Sequence, residues 1–394
     1  MGHLLDSNHT LVPLIDRLNK YPIGVVDSEK LRELLSLLFS EEEAFVASKF
    51  PLTETTLKEL STATKMAEED LLPVLESMAD KGIIMDLPYN GKVFYLLMPG
   101  TIGFFEFTFM KNRTDLPLEK VAKLMDEYFT DREKGHAQEF FGSKTPLTRS
   151  LPYQEHIPVT SVITDYESAR NIIKNAKFGA VSMCYCRHQK EHAGGTCKKG
   201  APVEGICISL GTGATFLARR GFAEEKSKDE LLKIIDTAHQ LNLTHITDNV
   251  RNKPTFICNC CGCCCHIMEG IQAGYINGVG KTNYLATIDP ELCDYCGECF
   301  TACNPHAIGL DKSGDYKNRA DRKSKVDTEI CLGCGACISS CKHGAISLIP
   351  RETPPKLIER KRDLFKTILR EKGRLSPFII EGIKKKVMGL FLRH

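Results

Sequence analysis

Cys293-Asp294-Tyr295-Cys296-Gly297-Glu298-Cys299-Phe300-Thr301-Ala302-Cys303 and Cys331-Leu332-Gly333-Cys334-Gly335-Ala336-Cys337-Ile338-Ser339-Ser340-Cys341 carry one spacing, C-x2-C-x2-C-x3-C, twice. The likeness extends beyond the cysteines. Ile288-Asp289-Pro290-Glu291-Leu292 precedes the first copy and Val326-Asp327-Thr328-Glu329-Ile330 the second, and Ala307-Ile308 and Ala345-Ile346 follow at matching offsets. Every counterpart lies 38 residues on, as Cys331 does from Cys293. Steps of three residues return the side chain to one side of a tight loop, so three thiolates reach one centre. The fourth comes from further off and ties two chain segments together. Gly297, Gly333 and Gly335 suit such loops, which need positive φ and close backbone approach.

By these motifs, residues 286–350 resemble the bacterial dicluster ferredoxins, in which the fourth cysteine of each motif serves the other cluster. The resemblance implies a ferredoxin-like domain with two [4Fe–4S] clusters. One would sit on Cys293, Cys296, Cys299 and Cys341, the other on Cys331, Cys334, Cys337 and Cys303. The family usually has proline directly after the fourth cysteine. Here Asn304 stands there, with Pro305 one later, and Lys342 takes the place in the second copy. Two zinc ribbons, the alternative use of eight cysteines, lack this triple-plus-one spacing.

Ten more cysteines lie between 184 and 265: Cys184, Cys186, Cys197 and Cys207, then Cys258, Cys260, Cys261, Cys263, Cys264 and Cys265. Six thiols within eight residues are too reactive to be ordinary core, although cysteine packs as a small hydrophobe. They predict one or two further iron–sulfur clusters, or zinc, which four thiolates suit equally well. The first four cysteines make one candidate set and some of the last six another, the remainder being a redox-active pair or ligands to an unusual centre. Arg187, His188 and His192 can donate to cluster sulfurs or add positive charge. His245, in an expected strand, reads first as a satisfied core histidine. Gly211-Thr212-Gly213 reads as a turn, lacking the third glycine and later acidic residue of a dinucleotide fingerprint.

At 394 residues the chain is long enough for roughly two to four domains, and 42% hydrophobic residues can fill their cores. A net charge of +2 excludes nucleic-acid binding by overall electrostatics. All 18 cysteines fall between Cys184 and Cys341, unlike the dispersed pattern of a small secreted disulfide scaffold. The first residues lack the basic and apolar regions of a signal peptide, and no apolar run reaches the ~18 residues of a membrane span. These features predict a cytoplasmic protein with reduced thiols, from an anaerobic host.

The fold expected is multidomain α+β. Residues 25–112 carry a helix from Asp27-Ser28 through Leu31, Leu34, Leu35 and Leu38. Helices over 56–64 and 68–81 follow, the second with Leu71, Leu72, Leu75 and Met78 inward, then a hairpin around Asn90-Gly91. This order resembles a winged helix. Its candidate recognition helix bears Glu68, Glu69, Asp70, Glu76 and Asp80, and the segment holds 15 acidic against 8 basic residues, so DNA is an unfavourable partner. Residues 113–158 form a helical connector ending in a loop-like, proline-rich stretch from Thr145. Residues 159–285 form a central Cys-rich α/β domain, with strands expected at 159–163, 180–184, 206–210, 244–246 and 256–258 and helices after Asp165 and Ser227. The tail, 351–394, is basic and amphipathic, with 13 Lys/Arg against 5 Asp/Glu. It can pack on its own protein, dock on an acidic partner or lie peripherally on a membrane surface.

Three functions follow. The first is an electron-transfer protein that relays low-potential electrons between a redox donor and a partner oxidoreductase. The second is an iron–sulfur reductase with a substrate site in the central domain and His245 or His188 as proton donor. The third is a redox-sensing winged-helix regulator, which the acidic helix disfavours.

Overall fold

Leu31, Leu34, Leu35 and Leu38 are buried along the helix Glu29–Leu38, whose N-cap Ser28 accepts a hydrogen bond from Leu31 N. The computed structural model to which it belongs describes residues 10–131, 136–158, 166–310, 324–376 and 378–380. The chain divides into two units. Residues 1–143, 219–222 and 365–394 make the first, and 144–218 with 223–364 the second.

In the first unit, helix Glu41–Lys49 follows on a Ser40/Glu43 capping box, then β1 (Thr55–Thr56) and helices Leu57–Thr64 and Glu68–Asp80. A hairpin of β2 (Ile84–Tyr89) and β3 (Lys92–Leu97) completes a sheet ordered β1-β3-β2. Asn90 and Gly91 both have positive φ, 49° and 73°, as a type I′ turn demands. Leu71, Leu75 and Met78 are buried, but Leu72 is 40% exposed. One residue past Leu71 is a rotation of about 100° around the helix, which carries Leu72 off the inward stripe. Glu68, Glu69 and Asp70 occupy the first helical turn, where negative charge complements the macrodipole. The connector forms two helices, Leu118–Thr130 and His136–Phe141.

In the tail, helix Lys361–Glu371 buries Leu364, Ile368 and Leu369 completely, and Ile379 and Ile380 are exposed. The remaining apolar tail residues, Ile383 to Leu392, lie outside the described residues, as does the strand expected over 159–163.

The second unit is built on a seven-stranded sheet: β4 (Thr148–Leu151), β5 (Gly179–Ser182), β6 (Cys207–Leu210), β7 (Ala223–Glu225), β8 (Thr244–Asp248), β9 (Phe256–Cys260) and β10 (Val279–Gly280). Their order is β10-β4-β8-β9-β6-β5-β7. Only β10 and β4 pair in parallel. β4 falls in the stretch expected to be loop. Its four residues fit between Pro146 and Pro152 and are all buried, so the prolines bound the strand without entering it. Helix Ala169–Asn175 starts on Ser168, and helix Lys228–Gln240 on the Ser227/Glu230 capping box. Gly211 opens helix Gly211–Arg219 at a φ of 64°.

Strand register brings the central cysteines together. In the antiparallel β6–β9 pair Ile208 faces Ile257, and in β5–β6 Ser182 faces Cys207. The end of β5, the start of β6 and the end of β9 therefore share one edge of the sheet. Cys184 and Cys186 follow β5, Cys207 opens β6, and Cys258 and Cys260 end β9 two residues apart on one face.

The 38-residue repeat becomes a local two-fold. β11 (Tyr284–Ile288) pairs with β14 (Ile346–Pro350), placing Ile288 opposite Ile346, and β12 (Ile308–Leu310) pairs with β13 (Ser324–Val326), placing Ile308 opposite Val326. Asp289 N donates to Ala345 O at 2.8 Å, and its counterpart Asp327 N to Ala307 O at 2.7 Å. The chain is thus a mixed helix-and-sheet protein with a repeat-built module near its C-terminus.

Candidate metal centres

Each motif of the repeat is a loop closed on its own aspartate. Cys293 N donates to Asp289 O at 3.1 Å and Cys331 N to Asp327 O at 2.9 Å. The fourth cysteines accept equivalent bonds: Ala307 N donates to Cys303 Sγ at 3.1 Å and Ala345 N to Cys341 Sγ at 3.3 Å. Gly297, Gly333 and Gly335 have φ of 85°, 70° and 84°. At Gly333 a side chain is also excluded by contact, since a Cβ would lie 2.0 Å from Tyr284 O.

Cys293, Cys296, Cys299 and Cys341 line one small cavity. Burial pushes the Cys299 thiol up to about 11, with the charges of Cys293, Cys296 and Cys341 adding to it. Burial likewise pushes Cys303 to about 12, with Cys334 and Cys331 reinforcing it, and raises Cys337 beside Cys334, Cys303 and Cys331. The two gatherings differ in exposure. Cys296 is exposed and Cys293 and Cys341 are partly so, whereas Cys303, Cys331, Cys334 and Cys337 are all buried.

The buried gathering faces the central domain. Thr244 Oγ1 lies 3.6 Å from Cys334 Sγ, and Tyr153 N donates to Cys334 O at 2.9 Å. Asn304, where the ferredoxin family usually has proline, is 1% exposed and fastens the two parts. Its Nδ2 donates to Asn242 O at 2.8 Å and Thr244 Oγ1 at 2.9 Å, and its Oδ1 accepts from Gly262 N at 3.0 Å. Gly262 is the glycine inside the run of central cysteines. A Cβ there would come 2.6 Å from Asn304 O, so close backbone approach accounts for it.

The central thiols regroup relative to the sets expected from their order. Cys197 leaves Cys184, Cys186 and Cys207 and joins Cys261, Cys263 and Cys264, four sulfurs within 4.8 Å of one another. Cys197 is 3.7 Å from Cys261 and 3.8 Å from Cys263, and Cys263 is 3.8 Å from Cys264. The other six influence one another's ionisation in a closed order, Cys184, Cys186, Cys265, Cys260, Cys258, Cys207 and back to Cys184. Cys184, Cys258 and Cys265 are pulled down by accepting from both neighbours, Cys258 to about 6. Donation raises Cys207 and Cys260, and burial followed by donation raises Cys186.

Two cations, one buried and one half-buried, serve these arrays. Arg187 is 2% exposed and donates to Asn259 O at 2.8 Å. The charges of Cys184 and Cys207 in the ring, and of Cys261 and Cys197 in the compact set, hold its proton firmly against the effect of burial. Lys199 donates to Asn242 O and Ala302 O at 2.9 and 3.0 Å. Burial lowers its pKa, while the charges of Cys334, Cys261, Cys303 and Cys263 raise it. The order of residues gives no sign of Lys199, because its partners lie over 40 positions away.

His188 is buried, with its Nε2 3.1 Å from His192 Nε2. His245 is fully buried and bonded at both nitrogens, to Asn259 Oδ1 at 2.6 Å and His239 Nε2 at 2.8 Å. Burial holds it neutral, with a pKa near 3.

Two loop-borne cysteine motifs, related by a two-fold and exchanging their fourth members, define an iron–sulfur module, and the all-thiol donor sets fit such clusters. Residues 292–345 match the family described as the 4Fe-4S dicluster domain. No curated protein and no solved structure matches the chain.

Proposed function

We infer that the chain is an electron-transfer protein, relaying low-potential electrons between a redox donor and a partner oxidoreductase. Cys293, Cys296, Cys299 and Cys341 would hold one [4Fe–4S] cluster, and Cys331, Cys334, Cys337 and Cys303 the other. Such clusters supply reversible one-electron storage at a potential tuned by charge, hydrogen bonds and solvent exposure. The observation that carries this reading is the graded exposure of the two sets. Exposed Cys296 presents the outer set to solvent and a protein partner, while Thr244, Tyr153 and Asn304 hold the inner set against the central domain. Amide donors to Cys303 and Cys341 stabilise thiolate charge at equivalent positions.

The partner is a redox protein. DNA is disfavoured by the acidic helix Glu68–Asp80. Among the described residues, no helix is long and apolar enough to cross a membrane. The experiment is an anaerobic titration with a reduced viologen, followed by addition of an oxidised low-potential acceptor protein. Reversible uptake and release without consumption of a small molecule is expected. Failure to take up electrons, or turnover of a small molecule by the isolated chain, would contradict the reading.

A further inference from the structure

The two central thiol sets differ in dimension as well as number. With metal–sulfur bonds of about 2.3 Å, every edge of a four-sulfur tetrahedron around one zinc is about 3.8 Å. Cys197, Cys261, Cys263 and Cys264 match that size, with three edges of 3.7, 3.8 and 3.8 Å and all four sulfurs within 4.8 Å of one another. A cubane puts an iron between each thiolate and the cluster core, which spreads the sulfurs beyond mutual contact. The compact set is therefore too tight for a cubane and sized for one divalent ion.

The ring has the opposite character. One tetrahedral ion takes at most four thiolates and would leave two of Cys184, Cys186, Cys265, Cys260, Cys258 and Cys207 unused. Two ions sharing thiolates would still draw four sulfurs at a time into mutual contact. Among the described residues, no three ring sulfurs form a group within 4.8 Å, whereas the compact set does. Soft thiolates select zinc, copper(I) or iron–sulfur clusters, and of these the cluster is the one whose bulk spreads its ligands.

We propose that Cys197, Cys261, Cys263 and Cys264 hold a single zinc ion, and that the six-cysteine ring holds a polynuclear iron–sulfur cluster. This builds on the reading of residues 292–345 as a dicluster module but concerns separate ligands. Arg187 lies in the field of both central sets, where its charge offsets their accumulated thiolates. The zinc site then acts as the fastening of the Cys258–Cys265 segment, and the ring as a redox centre additional to the two of the ferredoxin module.

The test is X-ray absorption at the zinc and iron edges of the anaerobically purified full chain, with metal counts for it and for Cys263→Ser, Cys258→Ser and Cys296→Ser. The expected zinc spectrum shows about one ion per chain with four sulfurs at about 2.3 Å. Iron should exceed the about 8 atoms of two cubanes. Cys263→Ser should lose zinc and keep iron, while Cys258→Ser should lose only the iron above that number. About 8 irons accompanied by two or more zincs would overturn the ring assignment. Absence of zinc, or loss of iron in Cys263→Ser, would overturn the compact-site assignment. If instead the dicluster reading were at fault, Cys296→Ser would leave the iron count unchanged. Should a variant fail to fold, the spectra of the unaltered chain decide the question.

Discussion

In the module over 284–350, cysteine positions follow a local spacing that is repeated by a two-fold. In the central sheet they follow strand register. The first arrangement keeps its thiols far enough apart to act on one another through charge, as Cys299 responds to Cys293, Cys296 and Cys341. The second packs four of them into sulfur–sulfur contact as the compact set and leaves the other six as a ring in which no three sulfurs come together. The comparison teaches that an equal wealth of cysteine can serve different centres, with the spacing of the sulfurs distinguishing them.

The largest effect expected is from removing a ligand inside the module. Cys334→Ser and Cys296→Ser should each cost about four irons per chain, counted after anaerobic purification. Cys334 is buried beside Thr244 while Cys296 is exposed, so Cys334→Ser alone should also lower the melting temperature strongly. Equal thermal stability of the two variants would contradict the inner and outer assignment.

Next in size is the fastening between the two arrays. Gly262→Val drives a side chain against the Asn304 carbonyl, at an expected cost of about 1–3 kcal/mol for overpacking. Asn304→Ala leaves buried polar groups unpaired, at about 1–3 kcal/mol. Denaturant unfolding measures both, and the two losses should not add, because both substitutions break one contact. Full additivity would show that the contact is not shared.

A smaller effect should follow Arg187→Gln. Loss of a buried cation disfavours added electrons, so the potential of the central redox centre should move to more negative values while those of the module stay in place. A spectroelectrochemical titration resolves these, and an unchanged central potential would show that Arg187 acts only in packing. The smallest effect concerns the first unit. Burial raises the Asp86 pKa, but hydrogen bonds from Arg219 and Arg220 outweigh it and hold the carboxyl at about 2. Its stabilisation is therefore present above the unfolded value of about 4 and is lost as pH falls through about 2. Asp86→Asn should flatten the acid limb of stability between those values and leave every metal count unchanged.

Much of this architecture could be read before any coordinates. The module was legible because its cysteines sit at fixed short offsets, and the hairpin at Asn90-Gly91 because its turn demands positive φ. Leucine periodicity located the helices of the first unit, although Leu72 turned outward. The central grouping was not legible. Cys197 lies nearer in sequence to Cys186 than to Cys261, and only the folding of its loop back over the end of β9 places it with the latter. Asn304 registered as a departure from the dicluster ferredoxin pattern, but its role as a fastening depends on Thr244, Asn242 and Gly262, all distant in the chain. Half-buried Lys199 and buried Arg187 acquire meaning only once the thiols they face have been brought together.

The central claim is that this chain holds two cubane clusters in its repeat and further metal in its central domain. It is tested most directly by counting iron, acid-labile sulfide and zinc per chain after anaerobic purification. Iron and sulfide both above about 8, with zinc present at about one, are the predicted result. Iron and sulfide well below about 8 in a folded, anaerobically handled protein would contradict it.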